Sequence, residues 1–163
     1  MIITKTPYRI SFFGGGSDYP SWYKKNGGAV LSSTIDKYIY ISCRFSPSYF
    51  KHKYRIVWRK IENVQKINEI NHRAVRELLK HLNIKPGLEI HYYGDLPARS
   101  GMGSSSSFTV GLMNALCRIN KTKLTKSKLA NKSIYFEQRI MREVVGSQDQ
   151  TSASFGGFNK IIF

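Results

Sequence analysis

Between residues 29 and 45, Tyr38, Tyr40 and Ser42 alternate with Ile39, Ile41 and Cys43. A period of two sends the two sets to opposite faces, which predicts a β-strand. Residues 2–13 read as extended chain broken near Pro7 and closed by a turn at Gly14, Gly15 and Gly16. The stretch YRIVW, 54–58, is predicted to be the hairpin partner of the 29–45 strand. The rhythm then changes: Val64, Ile67, Asn71, Ala74, Leu78 and Leu82 recur at helical spacing until Pro86 and Gly87 stop it. LEIHYY, 88–93, alternates again as a strand, and 94–103 is loop. Beyond it Phe108, Leu112, Ala115, Leu116 and Ile119 mark one face of a second helix. Val110, Met113 and Cys117 make its opposite face apolar as well, so this helix is predicted to be central and buried. Thr125 is the predicted N-cap of a third helix reaching about Arg142, and 144–163 reads as a Ser/Gly-rich loop closed by an apolar strand.

Charge adds one fact to this pattern. Lys and Arg number 26 against 10 acidic residues, a net charge of +16. That surplus suits an anionic partner, such as nucleic acid, a membrane surface or a phosphorylated small molecule, or else reflects a lysine-rich solvated surface. The basic residues are scattered with no run of five, which argues against a basic tail. Cys43 and Cys117 lack a CxxC spacing, and His52, His72, His81 and His91 share no ligand spacing, so a disulfide framework or zinc site is not expected. The N-terminus carries no signal-like apolar run and no stretch of about eighteen apolar residues occurs anywhere, which predicts a cytoplasmic protein.

The chemistry concentrates in GDLPARSGMGSSSS, 94–107, which sets glycines and serines directly ahead of the buried helix. A helix N-terminus carries unpaired N–H groups and roughly half a positive charge, so such a loop is a natural phosphate cradle. The same residues also fit a plain N-cap after a flexible turn. Two familiar phosphate motifs fail: no Lys stands in this loop as a Walker sequence requires, and Ser106 occupies the place of the third glycine of a dinucleotide fingerprint.

Two acids look misplaced. Ala130, Ile134, Glu137 and Met141 are spaced by 4, 3 and 4, so the Glu137 carboxylate projects from an apolar stripe and needs a cation, a hydrogen-bond partner or a wet cleft. Asp149 lies among small polar residues in GSQDQTSASFGG, where an Asp is ordinarily a turn former or cap. Phosphoryl transfer requires Mg²⁺ on the phosphates, positive charge by the moving group and a carboxylate near the acceptor hydroxyl. Ser105 with Glu137, Arg9, and Asp149 would fill those roles in that order.

Three motifs in order, PYRISFFGGGSDYP, DLPARSGMGSSSS and GSQDQ after a Glu-bearing helix, resemble the galactokinase, homoserine, mevalonate and phosphomevalonate (GHMP) kinase superfamily, nearest its heptose 7-phosphate kinase branch. The resemblance implies ATP and Mg²⁺ as cofactors. Pro97, Arg99, Ser100, Gly101, Met102, Gly103, Ser104, Ser105 and Ser106 would wrap the ATP phosphates, with Ser105 and Glu137 holding Mg²⁺. Asp149 matches the catalytic aspartate, Arg9 the basic residue beside it, and Ser17 and Asp18 the sugar-binding positions. Gly15 and Gly16 stand where galactokinases carry Glu-His, so galactose itself is not the expected acceptor.

These motifs imply an α+β domain: a two-layer mixed sheet with helices chiefly on one face, like the second domain of ribosomal protein S5. Residues 1–163 correspond to the N-terminal, ATP-binding half of such kinases, and no counterpart of their C-terminal half is present. The expected activity is transfer of the ATP γ-phosphate to the anomeric hydroxyl of a heptose 7-phosphate or similar sugar phosphate. The rival expectations are an inactive remnant of such a kinase and a basic RNA-binding domain. An apolar face where a second half would pack, or where copies would associate, is also expected, with no membrane partner and nucleic acid disfavoured.

Overall fold

β2 (Ala29–Phe45) is the spine of the structure, a computed structural model that describes residues 1–98 and 100–163. β1 (Ile2–Phe13) pairs with it antiparallel along its length. Pro7 does not break β1 but faces Tyr38 of β2, and the register slips between Pro7 and Arg9. A bulge absorbs the proline. On its other edge β2 meets β6 (Phe158–Ile162) in its first half and β5 (Leu88–Gly94) in its second, both antiparallel. The sheet runs β1-β2-β5-β3-β4, with β6 attached to β2.

β3 (Tyr54–Val57) corrects the expected hairpin. It lies parallel to β5 and forms its hairpin with β4 (Ile61–Val64), so its partner is not β2. The 64–82 helix also contracts: Val64 closes β4, residues 67–69 make one 3₁₀ turn, and α2 spans only Arg73–His81. The buried Glu62 carboxylate accepts from the Asn71 and His72 amides at 2.5 and 3.2 Å, which draws the chain into a turn just before α2.

α3 (Ser104–Ile119) is the buried central helix that two apolar faces predict, with Ser106–Met113 and Ala115–Cys117 all buried. It lies on β1 and β2. Gly111 permits the approach: a Cβ there would stand 2.7 Å from Thr6 Oγ1. Thr125 caps α4 (Lys126–Tyr135), accepting from Lys128 N at 3.3 Å. α4 packs across α3 and α5, and passes directly into a π turn at Phe136–Ile140.

The 144–163 loop proves partly helical, since Gln148–Phe155 forms α5. Its N-terminus is capped from far away in sequence. The Asp18 carboxylate accepts from Gln148 N at 3.1 Å while its carbonyl accepts from Ser147 N at 3.1 Å. α1 (Pro20–Asn26) was not expected; Pro20 sits in its first turn, where a missing N–H costs nothing.

One core of Ile39, Ile41, Ile90, Leu112, Leu116 and Phe136 joins sheet to helices. Facing away from them, Ile3 and Tyr93 are 61% and 59% exposed. The two-layer α+β arrangement with helices on one face is therefore the observed one. Among the described residues no helix is long and apolar enough to cross a membrane.

Candidate active site

The glycine-rich loop meets β1 and α5 at one point. Arg9, on β1, donates from Nε to Asp149 Oδ1 at 2.7 Å and from Nη1 to the Gly101 carbonyl at 2.9 Å, while its amide donates to the Met102 carbonyl at 3.2 Å. One arginine therefore holds both the loop and the acid of α5. The pair is partly shielded, with side chains 13% and 24% exposed.

Gly103 is the N-cap of α3 and adopts φ 73°, the left-handed region that favours glycine. A Cβ there would lie 3.2 Å from Asp149 Oδ2 and 3.5 Å from Arg9 Cγ. Gly103→Ala is therefore expected to lower stability by about 1–3 kcal/mol, and to disturb the Arg9–Asp149 pair it would crowd. Thermal unfolding measures the loss of stability.

A second cluster lies behind the first turn of α3. Ser106 Oγ donates to Glu137 Oε2 at 2.9 Å, and the Gln150 side-chain amide donates to the same oxygen. Glu137 is only 2% exposed, and its Oε1 is buried with no hydrogen-bond partner among the described residues. Burial pushes the Glu137 carboxyl above its ordinary range, an effect partly offset by the hydrogen bonds from Gln150 and Ser106. Asp149 and Gln150 are successive residues of α5, so one helical step sends the first to Gly103 and the second to Glu137.

The structure thus brings Arg9, Asp149, Gly101, Met102 and Gly103 together, and separately Ser106 with Glu137. The hydroxyl bonded to Glu137 is that of Ser106, one residue beyond the expected Ser105. Ser105 is exposed and, with Ser104 and Pro97, lines a neighbouring cleft. Successive helical residues diverge by about 100° around the axis, which separates the two serines. Ser100 is half-buried in the loop, Met102 packs against the core, and Arg99 lies outside the described residues.

Asp18 and Ser17 are occupied within the protein. Asp18 is 1% exposed, its carboxylate accepting from Gly16 N and Gln148 N, so it braces the segment carrying Asp149. Ser17 Oγ donates to the Gly14 carbonyl at 2.7 Å and accepts from Ala29 N at 3.2 Å, fastening the glycine turn to β2.

Beside the loop is a cleft of about 570 Å³ walled by Trp58, His72, Tyr92 and Phe108. Buried Glu62 accepts from Trp58 Nε1 at 2.9 Å and from His72 N, fixing two of its walls. His72 stacks on Phe108 with ring centres 5.0 Å apart, and burial lowers its affinity for a proton, so it presents a neutral ring. Sequence spacing offered no sign of this cleft, because its walls come from the β3–β4 turn, the N-cap of α2, β5 and α3. Gln150 was equally silent: nothing in GSQDQ tells which Gln turns toward Glu137.

Fold and site together define an α+β domain whose glycine-capped helix N-terminus lies between an aromatic cleft and a buried acid. Residues 68–157 match the family model described as GHMP kinases N terminal domain, and the chain belongs to that family. Over 177 residues it is 31% identical to D-glycero-alpha-D-manno-heptose 7-phosphate kinase of Campylobacter jejuni, covering 99% of this chain and 50% of that protein. Over 171 residues it is 29% identical to a galactokinase of Pyrococcus furiosus, covering 99% and 46%. The crystal structure of a D-glycero-D-manno-heptose 1-phosphate kinase from B. thetaiotaomicron superposes with a TM-score of 0.87 at 24% identity, over 100% of this chain and 56% of that one. At that identity the last likeness is one of fold. The chain spans about half the length of the curated relatives it matches.

Proposed function

We propose that residues 1–163 form the nucleotide-binding half of an ATP-dependent sugar kinase, whose acceptor pocket is completed by a second polypeptide segment. The observation that carries this reading is the Arg9–Asp149 pair, 2.7 Å apart, seated against Gly103 at the N-terminus of α3. The exposed open face of the sheet, with Ile3 and Tyr93, supports a covering segment. The acceptor is a sugar phosphate of the heptose 7-phosphate kind, since that is the substrate in the name of a relative matched over 99% of this chain.

The residues fit ATP and Mg²⁺. The aromatic cleft takes the base between apolar walls, and Ser104, Ser105 and the amides of the first turn of α3 take the phosphates. The unpartnered Glu137 Oε1, with the hydroxyls of that turn, would hold Mg²⁺. When bound, the ion offsets charge on the phosphates. Arg9 places a fixed positive charge beside the transferred group, and its tie to Gly101 keeps the loop at one distance from Asp149. Asp149 accepts the proton of the acceptor hydroxyl, or orients that hydroxyl, as the nucleophile attacks.

Calorimetric titration of Mg-ATP tests the site. The parent chain is expected to bind, Trp58→Ala to lose about tenfold in affinity through the missing stack, and Ser106→Ala to lose the Mg²⁺ dependence. Ser105→Ala tests the hydroxyl facing the cleft and is expected to weaken binding more modestly. A parent that takes up no nucleotide, or affinities indifferent to all three changes, sinks the reading.

A further inference from the structure

A cleft of about 710 Å³ lies at the opposite end of α2 from the aromatic one, lined by Lys53, Lys66, Lys80 and Lys85. Its described lining carries no carboxylate. The two nearby acids are already engaged: Glu69 accepts from the Gln65 and Lys66 amides, and Glu77 from Arg76 and, at 3.4 Å, Lys80. Lysines at a helix C-terminus commonly answer its free carbonyls. Here the Leu78, Leu79 and Lys80 carbonyls accept from the Leu82, Ile84 and Asn83 amides, so the lysines are not needed to answer them, and of the four only Lys80 reaches an acid among the described residues, Glu77 at 3.4 Å. Four cations scattered in sequence thus converge on one concave surface.

Lys53 and Gln65 also line an adjoining cleft of about 280 Å³ that contains Phe50 and His52. These two rings stack at 5.0 Å with a 17° tilt, and Tyr49, 78% exposed, lies 4.7 Å from Phe50. The segment bearing them is tied down: Ser46 N donates to the Gly87 carbonyl, Lys53 N to the Val64 carbonyl, and the Gln65 side chain to the Lys51 carbonyl. His52 Nε2 is buried without a hydrogen-bond partner among the described residues. A lysine channel would hold a phosphate backbone, and the rings beside it, Phe50 in the adjoining cleft and exposed Tyr49 tilted 60° to it, would each offer a face to a base.

We propose that this composite groove binds single-stranded RNA, its phosphates along Lys53, Lys66, Lys80 and Lys85 and its bases on Tyr49 and Phe50. The site is separate from the ATP cleft, so both ligands bind the same chain.

Fluorescence anisotropy of a labelled ten-nucleotide RNA, with excess Mg-ATP filling the loop site, tests the groove. Four phosphate contacts on a single strand predict that affinity falls roughly 50-fold between 50 and 200 mM salt. Tyr49→Ala is expected to weaken RNA binding about tenfold, yet to leave competition by inorganic polyphosphate unchanged. The paired change Lys66→Glu with Lys85→Glu should weaken binding at least tenfold and flatten the salt response. All these residues are on the surface, and Mg-ATP heats should match the parent. The proposal is overturned by absence of RNA binding at 50 mM salt, or by an unchanged affinity in the paired lysine variant. It is equally overturned if polyphosphate or phosphatidylglycerol vesicles bind as tightly as RNA while Tyr49→Ala has no effect.

Discussion

Asp149→Asn is expected to slow phosphoryl transfer to the sugar by roughly 10²–10⁴-fold, while leaving Mg-ATP affinity within a few-fold of the parent. Asn keeps the shape of Asp149 and can still accept from Arg9 Nε, so the 2.7 Å contact that ties β1 to α5 survives. What disappears is the negative charge, and with it the capacity to take the proton of an incoming hydroxyl. The cost falls on kcat and not on the ATP dependence, because the proposed nucleotide contacts belong to the loop and the aromatic cleft. Arg9→Lys makes a useful contrast. It keeps a positive charge but cannot bridge Asp149 and the Gly101 carbonyl at once, so both kcat and nucleotide affinity should suffer. ADP release in the presence of heptose 7-phosphate and of the segment that completes the acceptor pocket, read as separate kcat and KM values, distinguishes the two variants. An Asp149→Asn enzyme within tenfold of the parent rate removes Asp149 from the mechanism.

Glu137→Gln is expected to change stability in a pH-dependent direction. The folded state holds the Glu137 proton more tightly than the unfolded chain, whose carboxyl titrates near 4.5. Below that pH both states are protonated and the stability associated with this group is fully present. As pH rises, the unfolded chain releases its proton first, so stability declines until the folded group ionises too. At neutral pH the cation-free protein therefore carries a buried acid with one oxygen unpaired. An amide does not ionise, so it abolishes this decline, and the stability of the variant relative to the parent rises as pH increases. Mg²⁺ should raise the parent Tm progressively more as pH increases and leave the variant unmoved. Thermal melts from pH 4 to 8, with and without Mg²⁺, check both halves; a variant less stable than the parent at pH 7 and still responsive to Mg²⁺ would falsify the cation role of Glu137.

The parts legible in advance share a property: each is determined over a few turns of chain. The alternation in LEIHYY, the two apolar faces of residues 104–119 and the Thr125 cap need only near neighbours, and the structure returns β5, α3 and α4 where they were expected. The failures involve distant partners. YRIVW looks like any hairpin strand, but its alignment with β5 depends on the crossover through α2. Val64 and Ile67 fit a helical period only by coincidence, since β4 and a 3₁₀ turn use them. α5 has weak helix formers and depends on Asp18, 130 positions earlier, to cap it.

The candidate site divides in the same way. Its glycine-serine loop, its acids and the helix behind the loop were determined by local sequence, because a left-handed N-cap, a run of small hydroxyls and an acid in an apolar stripe are local demands. Tertiary structure alone decided that Ser106 and not Ser105 faces Glu137, that Asp18 is sealed beneath α5, and that Trp58 and His72 wall a cleft with Phe108. Helical phase about an axis and the register between strands are set by what packs on the other side, and that partner is never visible in a short window of sequence.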